Sequence, residues 1–436
     1  LATQDEIDNG MAKFGWQPGE HQRLELTVDR FDNTGRNPTN ANAAATATNI
    51  VDRDTERSGA RLRYRLDDPG NRWVNLDATL YRNEVESREF RLDDDRIDET
   101  GFLTRGFELV NTSRLAGTEA RPVRLTWGVE TYTDEQDGTR DGSDRRQFPD
   151  AEVEYRAAFV QAEVPLGAGF AVIPGVRFDA FEYDADAGFP GRDDDEVTPR
   201  VALGWEPVED FYVWGEYAQA FRAPSLTELY ADGVHFVVPL GPGQVVINEF
   251  VPTPDLEPEH AEQFQVGARW RTEGLFGSDA SLEIYTVAYR NDVEDFVDQF
   301  VVFIAGEPSF DPLTQQLVFP GITTNRNVDA EIEGFEVDVR LAGSLGYVQA
   351  SLSAIDGEGA DGSDLASVQA DRAVLGAGVY LADRRITLGA QLVAAADLGD
   401  VPDGALAKSG YGKTDLFVEY LPDAGLLSGF EFRLAV

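Results

Sequence analysis

The chain of 436 residues has no cysteine, one methionine and only three histidines. Without cysteine there is no disulfide framework, no thiolate metal site and no thiol nucleophile. With histidine confined to His21, His235 and His260, no serine has a recognisable base beside it, so the chain offers no set for nucleophilic catalysis. No apolar run approaches the roughly 20 residues that a membrane-spanning helix needs, which excludes helical insertion and leaves a strand barrel as the way across a bilayer. The opening Leu1, Ala2, Thr3, Gln4, Asp5 has neither the basic start nor the apolar stretch of a signal peptide. Positive charge is scarce as well. Against 79 acidic side chains stand 37 basic ones, a net charge of −42, and this excludes nucleic acid as a partner. The densest acid, Asp93 to Asp95 and Asp193 to Glu196, reads as solvated loop surface, because its spacing fits no calcium loop.

What the chain has is period-two alternation. Val123, Leu125, Trp127 and Val129 share one face, with Arg124, Thr126, Gly128 and Glu130 on the other. The same holds for Phe264 to Trp270, for Phe335 to Leu341 and for the Leu24, Leu26, Val28 stripe. A soluble sandwich would alternate too, so strand length decides. Many segments run about 10 to 15 residues, longer than soluble strands and long enough for a tilted span. The connections take turns between two kinds. Short ones fall near 17–21, 67–71, 116–121, 165–168, 206–210, 271–278, 342–346, 382–385 and 421–428. Long polar ones fall at 31–55, 85–102, 134–152, 184–197, 222–259, 291–327, 356–367 and 397–411. In an antiparallel barrel alternate connections lie on opposite sides, so this is the short-turn, long-loop asymmetry of outer-membrane barrels. Trp16, Trp73, Trp205, Trp214 and Trp270 all lie near short turns, as an interfacial aromatic girdle requires, and only Trp127 lies deeper.

The expected fold class is therefore all-β, an antiparallel transmembrane β-barrel of outer-membrane type in contact with the lipid bilayer. Roughly 17 or 18 strands are present, of about 22 in a complete barrel. Residues 1–436 form one barrel domain, expected to be incomplete at both ends. The chain starts in one strand, stops in another and closes on Val436 rather than an aromatic residue. No segment has the character of a plug domain.

Two boxes carry a resemblance. Phe221, Arg222, Ala223 and Pro224 are followed by His235 and then by Thr253, Pro254, Asp255 and Leu256. The pattern resembles the FRAP and NPNL boxes that bracket a haem-ligating histidine in TonB-dependent outer-membrane haem receptors. Thr253 and Asp255 stand where the second box has asparagines. The run Asp210 to Ala220, the run Ala280 to Asn291 and the run Asn327 to Glu336 are similar to strands of the same barrels, so the likeness is best over about residues 200 to 340.

The resemblance implies uptake of haem, free or from a haemoprotein, across the bacterial outer membrane. Haem is then a transported ligand and not a catalytic cofactor. His235, the one histidine between the boxes, would be the axial iron ligand, since a neutral imidazole binds haem iron well. The first box would shape the base of the loop. The TonB complex would drive movement through a plug absent from this sequence. A siderophore or other metal-chelate receptor would share the barrel and the first box without needing His235, and a passive porin would need neither plug nor TonB. Gly357 to Gly362 matches the dinucleotide pattern by letter but lies between strands, with no helix to face a pyrophosphate.

Overall fold

The computed structural model describes residues 4–39, 49–117, 122–186, 188–275, 279–365, 368–399, 401 and 407–436. It begins with long strands: β1 (Gln4–Gly19), β2 (Gln22–Pro38), β3 (Ile50–Asp67), β4 (Asn75–Arg91), β5 (Ile97–Gly117) and β6 (Pro122–Arg140). A two-residue β7 (Ser143–Asp144) precedes β8 (Ala151–Gly167), β9 (Phe170–Ala185), β10 (Arg192–Val208) and β11 (Phe211–Arg222). The next connection contains α1 (Leu226–Tyr230), β12 (Gly233–Gly241) and β13 (Gln244–Phe250). Then come β14 (Glu259–Thr272), β15 (Ser281–Val302), β16 (Ser309–Asp311), β17 (Gln316–Ala342) and β18 (Gly346–Gly359). The last four are β19 (Arg372–Leu381), β20 (Ile386–Ala395), β21 (Tyr411–Tyr420) and β22 (Phe432–Ala435).

Of these 22 segments among the described residues, β7, β12, β13 and β16 belong to loops. The remaining eighteen pair antiparallel, each with the next, in one up-and-down meander. No ladder joins β1 to β22 among the described residues. The wall is nonetheless curved. Val297 of β15 and Ala151 of β8 meet one apolar cluster, although five strand spacings of about 4.8 Å separate them along the sheet.

The expected turns fall at one end of this wall, where β8 and β9, β10 and β11, and β19 and β20 are joined by a few residues. At the first of these Gly169 has φ +83, and a Cβ there would sit 2.1 Å from the Glu206 carbonyl oxygen, so only glycine fits. At the other end the connections are shorter than the sequence suggested. The chain between β4 and β5 is only 92–96, and between β9 and β10 only 186–191. The flanking polar stretches are strand, because their charges pair across the ladder: Arg30 with Glu56 at 2.7 Å, Arg36 with Asp52 at 2.6 Å, Arg105 with Glu135 at 2.9 Å. Polar alternation gives no core signal, yet it carries the sheet onward as cross-strand ion pairs. The expected turn at 116–121 and loop at 31–55 fall partly on residues 118–121 and 40–48, outside the described residues.

One face of the wall is apolar and exposed, with Leu26, Leu80, Phe178, Phe264, Phe335 and Leu388 among its large side chains. A continuous apolar band on a monomer's outside is a surface made for lipid. Trp16, Trp73, Trp205 and Trp270 are on the exposed side. Trp214 is a correction to the girdle, since its ring covers Gly267 on the face that carries Glu216 and Gln265.

That opposite, polar face shows a repeated device. Tyr81 faces Gly106 across the ladder, Phe159 faces Gly128, Trp214 faces Gly267, Tyr289 faces Gly334, Tyr347 faces Gly378 and Phe417 faces Gly389. At each of these glycines an added Cβ would lie within 2.6 Å of the ring, so the ring rests on bare backbone. Glycine weakens a strand by its entropy and by having nothing to pack, and the neighbouring aromatic restores contact and pins register.

Candidate functional site at the loop-bearing mouth

The segment between β11 and β14 carries a helix and a hairpin of its own. Ser225 starts α1 with a reciprocal cap: its Oγ accepts from the Glu228 amide at 3.3 Å, and the Glu228 carboxylate accepts from the Ser225 amide at 2.7 Å. Leu226, Leu229 and Tyr230 are buried against Val153, Phe181 and Tyr183, on the wall face opposite Val160 and Phe178. The helix therefore sits inside the mouth.

The box residues lie in this anchor. Phe221 stacks on Phe181 at 5.9 Å, and Arg222 pairs with Glu228 at 2.8 Å and with Glu259. Ala223 packs against the cluster, and the Pro224 carbonyl accepts from the Tyr183 hydroxyl at 2.5 Å. In the second box Thr253 Oγ1 donates to the Glu228 carbonyl at 3.1 Å, Pro254 is half-buried, Asp255 is exposed and Leu256 is buried in the same cluster. Asn327 donates to the Glu257 carbonyl and accepts from the Glu257 amide, both at 2.9 Å. The two boxes thus meet around one short helix and clamp both ends of the segment between them.

His235 is carried on β12, in the hairpin that the clamp holds up. The hairpin partner β13 runs parallel to β17, Gln244–Phe250 against Leu317–Thr323. Gln147 donates to the Val234 carbonyl, and Arg146 pairs with Asp232, so the 141–150 connection braces the other side. The imidazole stacks on Phe250 at 4.2 Å and tilts against Phe236 at 4.9 Å. Its Nδ1 lies 2.9 Å from Thr323 Oγ1. Thr323 Oγ1 donates to Asn248 Oδ1 at 2.6 Å, and Asn248 Nδ2 donates to the Val302 carbonyl at 3.2 Å. Thr323 and Asn248 are both fully buried. Burial pushes the His235 pKa below its usual value, and the bond to Asn248 offsets part of this, so the neutral ring is favoured. A neutral, half-buried imidazole flanked by phenyl rings suits a flat aromatic metal complex.

The other histidines lie elsewhere. His260 Nε2 is 2.7 Å from Glu196, bridging β14 and β10 where the wall is split. The β10–β11 ladder stops at Arg200 and Ala218, while β9–β10 continues to Arg192 and β11–β14 to Arg222. His21 sits 3.7 Å from Asp68 at the short-turn end. Asn248, Phe250 and Thr323 carried no sequence signal: Thr323 is 88 positions from His235, and only a parallel pairing within the loops brings it there. Gly357 to Gly362 ends β18 and turns at Gly362, φ +78, and among the described residues no helix lies between it and β19.

An antiparallel membrane barrel with a clamped loop inside its mouth defines a class of outer-membrane receptor. The chain belongs to the TonB dependent receptor-like β-barrel family, whose model matches residues 3–436, and its place is the bacterial outer membrane. It is 31% identical over 302 residues to a "Hemin receptor" of Yersinia pestis, covering 68% of this chain and 44% of that one. To "Heme/hemopexin utilization protein C" of Haemophilus influenzae (strain 86-028NP) it is 26% identical over 465 residues, 95% of this chain and 64% of that one. The chain thus spans from under half to under two thirds of the length of these curated relatives. Among solved structures, the Serratia marcescens hemophore receptor HasR, in complex with its hemophore HasA and heme, matches with TM-score 0.73 at 16% identity, over 95% of this chain and 66% of that one. The copper transporter OprC matches with TM-score 0.72 at 18% identity, over 96% and 64%. At those identities the structural likeness concerns the fold.

Proposed function

We propose that this chain is the barrel of a transporter that takes up haem, free or delivered by a haemoprotein, and that His235 ligates the iron from the extracellular side. The observation that carries the reading is the placement of His235. It is the one histidine between the two boxes, and its hairpin is held over the mouth with the ring stacked on Phe250. The naming of the curated relatives for hemin and heme supports the same cargo. Energy would come from the TonB complex, as in the family at large, and the chain acts as a receptor rather than an enzyme.

The rival is a receptor for a siderophore or another metal chelate, which would share the fold, as the siderophore receptor PirA of Acinetobacter baumannii does at TM-score 0.70. Haem titration of the parent and of His235→Ala, followed at the Soret band, separates the two. The expected result is a weakened and spectrally altered complex in the variant. An identical spectrum and affinity would remove His235 from the cargo and favour the chelate reading.

A further inference from the structure

Hydrogen bonds around His235 run in one direction only. The Asn248 amide is oriented by the Val302 carbonyl, which can only accept, so Nδ2 faces Val302 and Oδ1 faces Thr323. Thr323 has a single hydroxyl hydrogen, and Asn248 Oδ1 takes it at 2.6 Å. The oxygen is then left with lone pairs toward His235, 2.9 Å away, and can only accept. Nδ1 must therefore carry the ring hydrogen, and in a neutral imidazole the lone pair is on Nε2. Nε2 is the ring nitrogen that Thr323 does not engage. Gly321 makes the geometry possible, since a Cβ there would lie 2.9 Å from Asn248 Nδ2 and 2.6 Å from the Phe303 carbonyl oxygen.

We propose that Thr323 and Asn248 are positioning residues that commit His235 to the Nδ1–H tautomer and so present Nε2, and only Nε2, to haem iron. The proposal rests on the haem-ligand reading of His235 and adds to it the choice of ligating atom and the groups that enforce it. A ligating imidazole commonly gives its second N–H to a fixed acceptor, which orients the ring and raises its donor strength. Here the acceptor comes from the extension of β17 beyond the wall and is relayed through β13 to β15, so three strands of the mouth fix one proton. The relay runs from the Val302 carbonyl through Asn248 and Thr323 to the imidazole. An apolar substitute at Thr323 would leave Nδ1–H and Asn248 Oδ1 without their partner and let the ring turn.

The test uses the 436-residue chain in detergent with haem as the probe. Thr323→Val, Thr323→Ser, Asn248→Leu and His235→Ala are compared by haem affinity and by the midpoint potential of the bound iron. Thr323→Val and Asn248→Leu are expected to weaken haem binding by about 10- to 100-fold and to move the potential positive, because a weaker imidazole donor stabilises ferric iron less. Thr323→Ser, which keeps the hydroxyl, should stay near the parent on both readouts. A merely structural Thr323 would leave the potential of whatever complex still forms unmoved, and that result overturns the proposal. Parental behaviour of Thr323→Val would overturn it too, as would loss of binding in Thr323→Ser as complete as in Thr323→Val. His235→Ala serves the reading beneath. If it binds haem as the parent does, the ligand assignment itself falls, and that failure is recognisable apart from the others.

Discussion

Leu229 is fully buried in the cluster that docks α1 onto β8 and β9, yet it belongs to a loop and not to the wall. Leu229→Ala should therefore detach the loop and spare the barrel. Removing a buried leucine side chain costs about 2 to 5 kcal/mol. At 1.4 kcal/mol per factor of ten, the docked-to-undocked ratio of the Phe221 to Glu259 segment should fall by about 30- to several-thousand-fold. Leu240 in the same hairpin is exposed, and Leu240→Ala is the matched control, with no change expected. Hydrogen exchange and limited proteolysis in detergent read the docking, while the heat-dependent gel mobility of the folded barrel reads the wall. Early cleavage within residues 223–258 of the variant, with unaltered barrel mobility, is the expected outcome. Haem affinity should drop in proportion to the fraction of molecules whose hairpin is undocked. Equal protection of the segment in parent and variant would refute the claim that this cluster holds the loop.

Two further outcomes follow from the same structure. Gly334→Val would place its Cβ 2.2 Å from the Tyr289 ring, an overpacking expected to cost about 1 to 3 kcal/mol; adding Tyr289→Ala should recover part of it, and strictly additive losses in denaturant melts would contradict the ring-on-glycine account. In the haem-free chain, burial holds the His235 pKa below its usual value, so docking of the β12–β13 hairpin should be full above about pH 6.5 and lost as pH falls through the depressed value, where the undocked ring takes up a proton first. Exchange protection of Gly233–Phe250 at pH 7.5 and at pH 5.5 measures this, and a flat profile that His235→Gln leaves unaltered speaks against it.

The wall was readable because its two faces meet different solvents. Leu24, Leu26 and Val28 alternate with polar neighbours, and turns at Gly169 and near Asp210 need residues that accept positive φ. What escaped reading was wherever both faces meet water. The upper parts of β4 and β5 read as loop because Arg88, Glu89, Asp98 and Glu99 give no apolar stripe, although their ion pairs hold strand. The site was half legible. The boxes singled out His235 as the candidate, but Asn248 and Thr323, which the structure places beside it, are joined to it through a parallel ladder with no local trace in the sequence. Trp214 escaped for the opposite reason: nearness to a turn does not reveal which face a residue takes, and its partner Gly267 decides that.

The aromatic rings lying on glycines along the polar face also shape the relief of that surface. A ring resting against a neighbour with no side chain fills the hollow that the glycine leaves. Repeated at six places from Tyr81 to Phe417, these pairings lower the relief of the polar side of the wall where they occur.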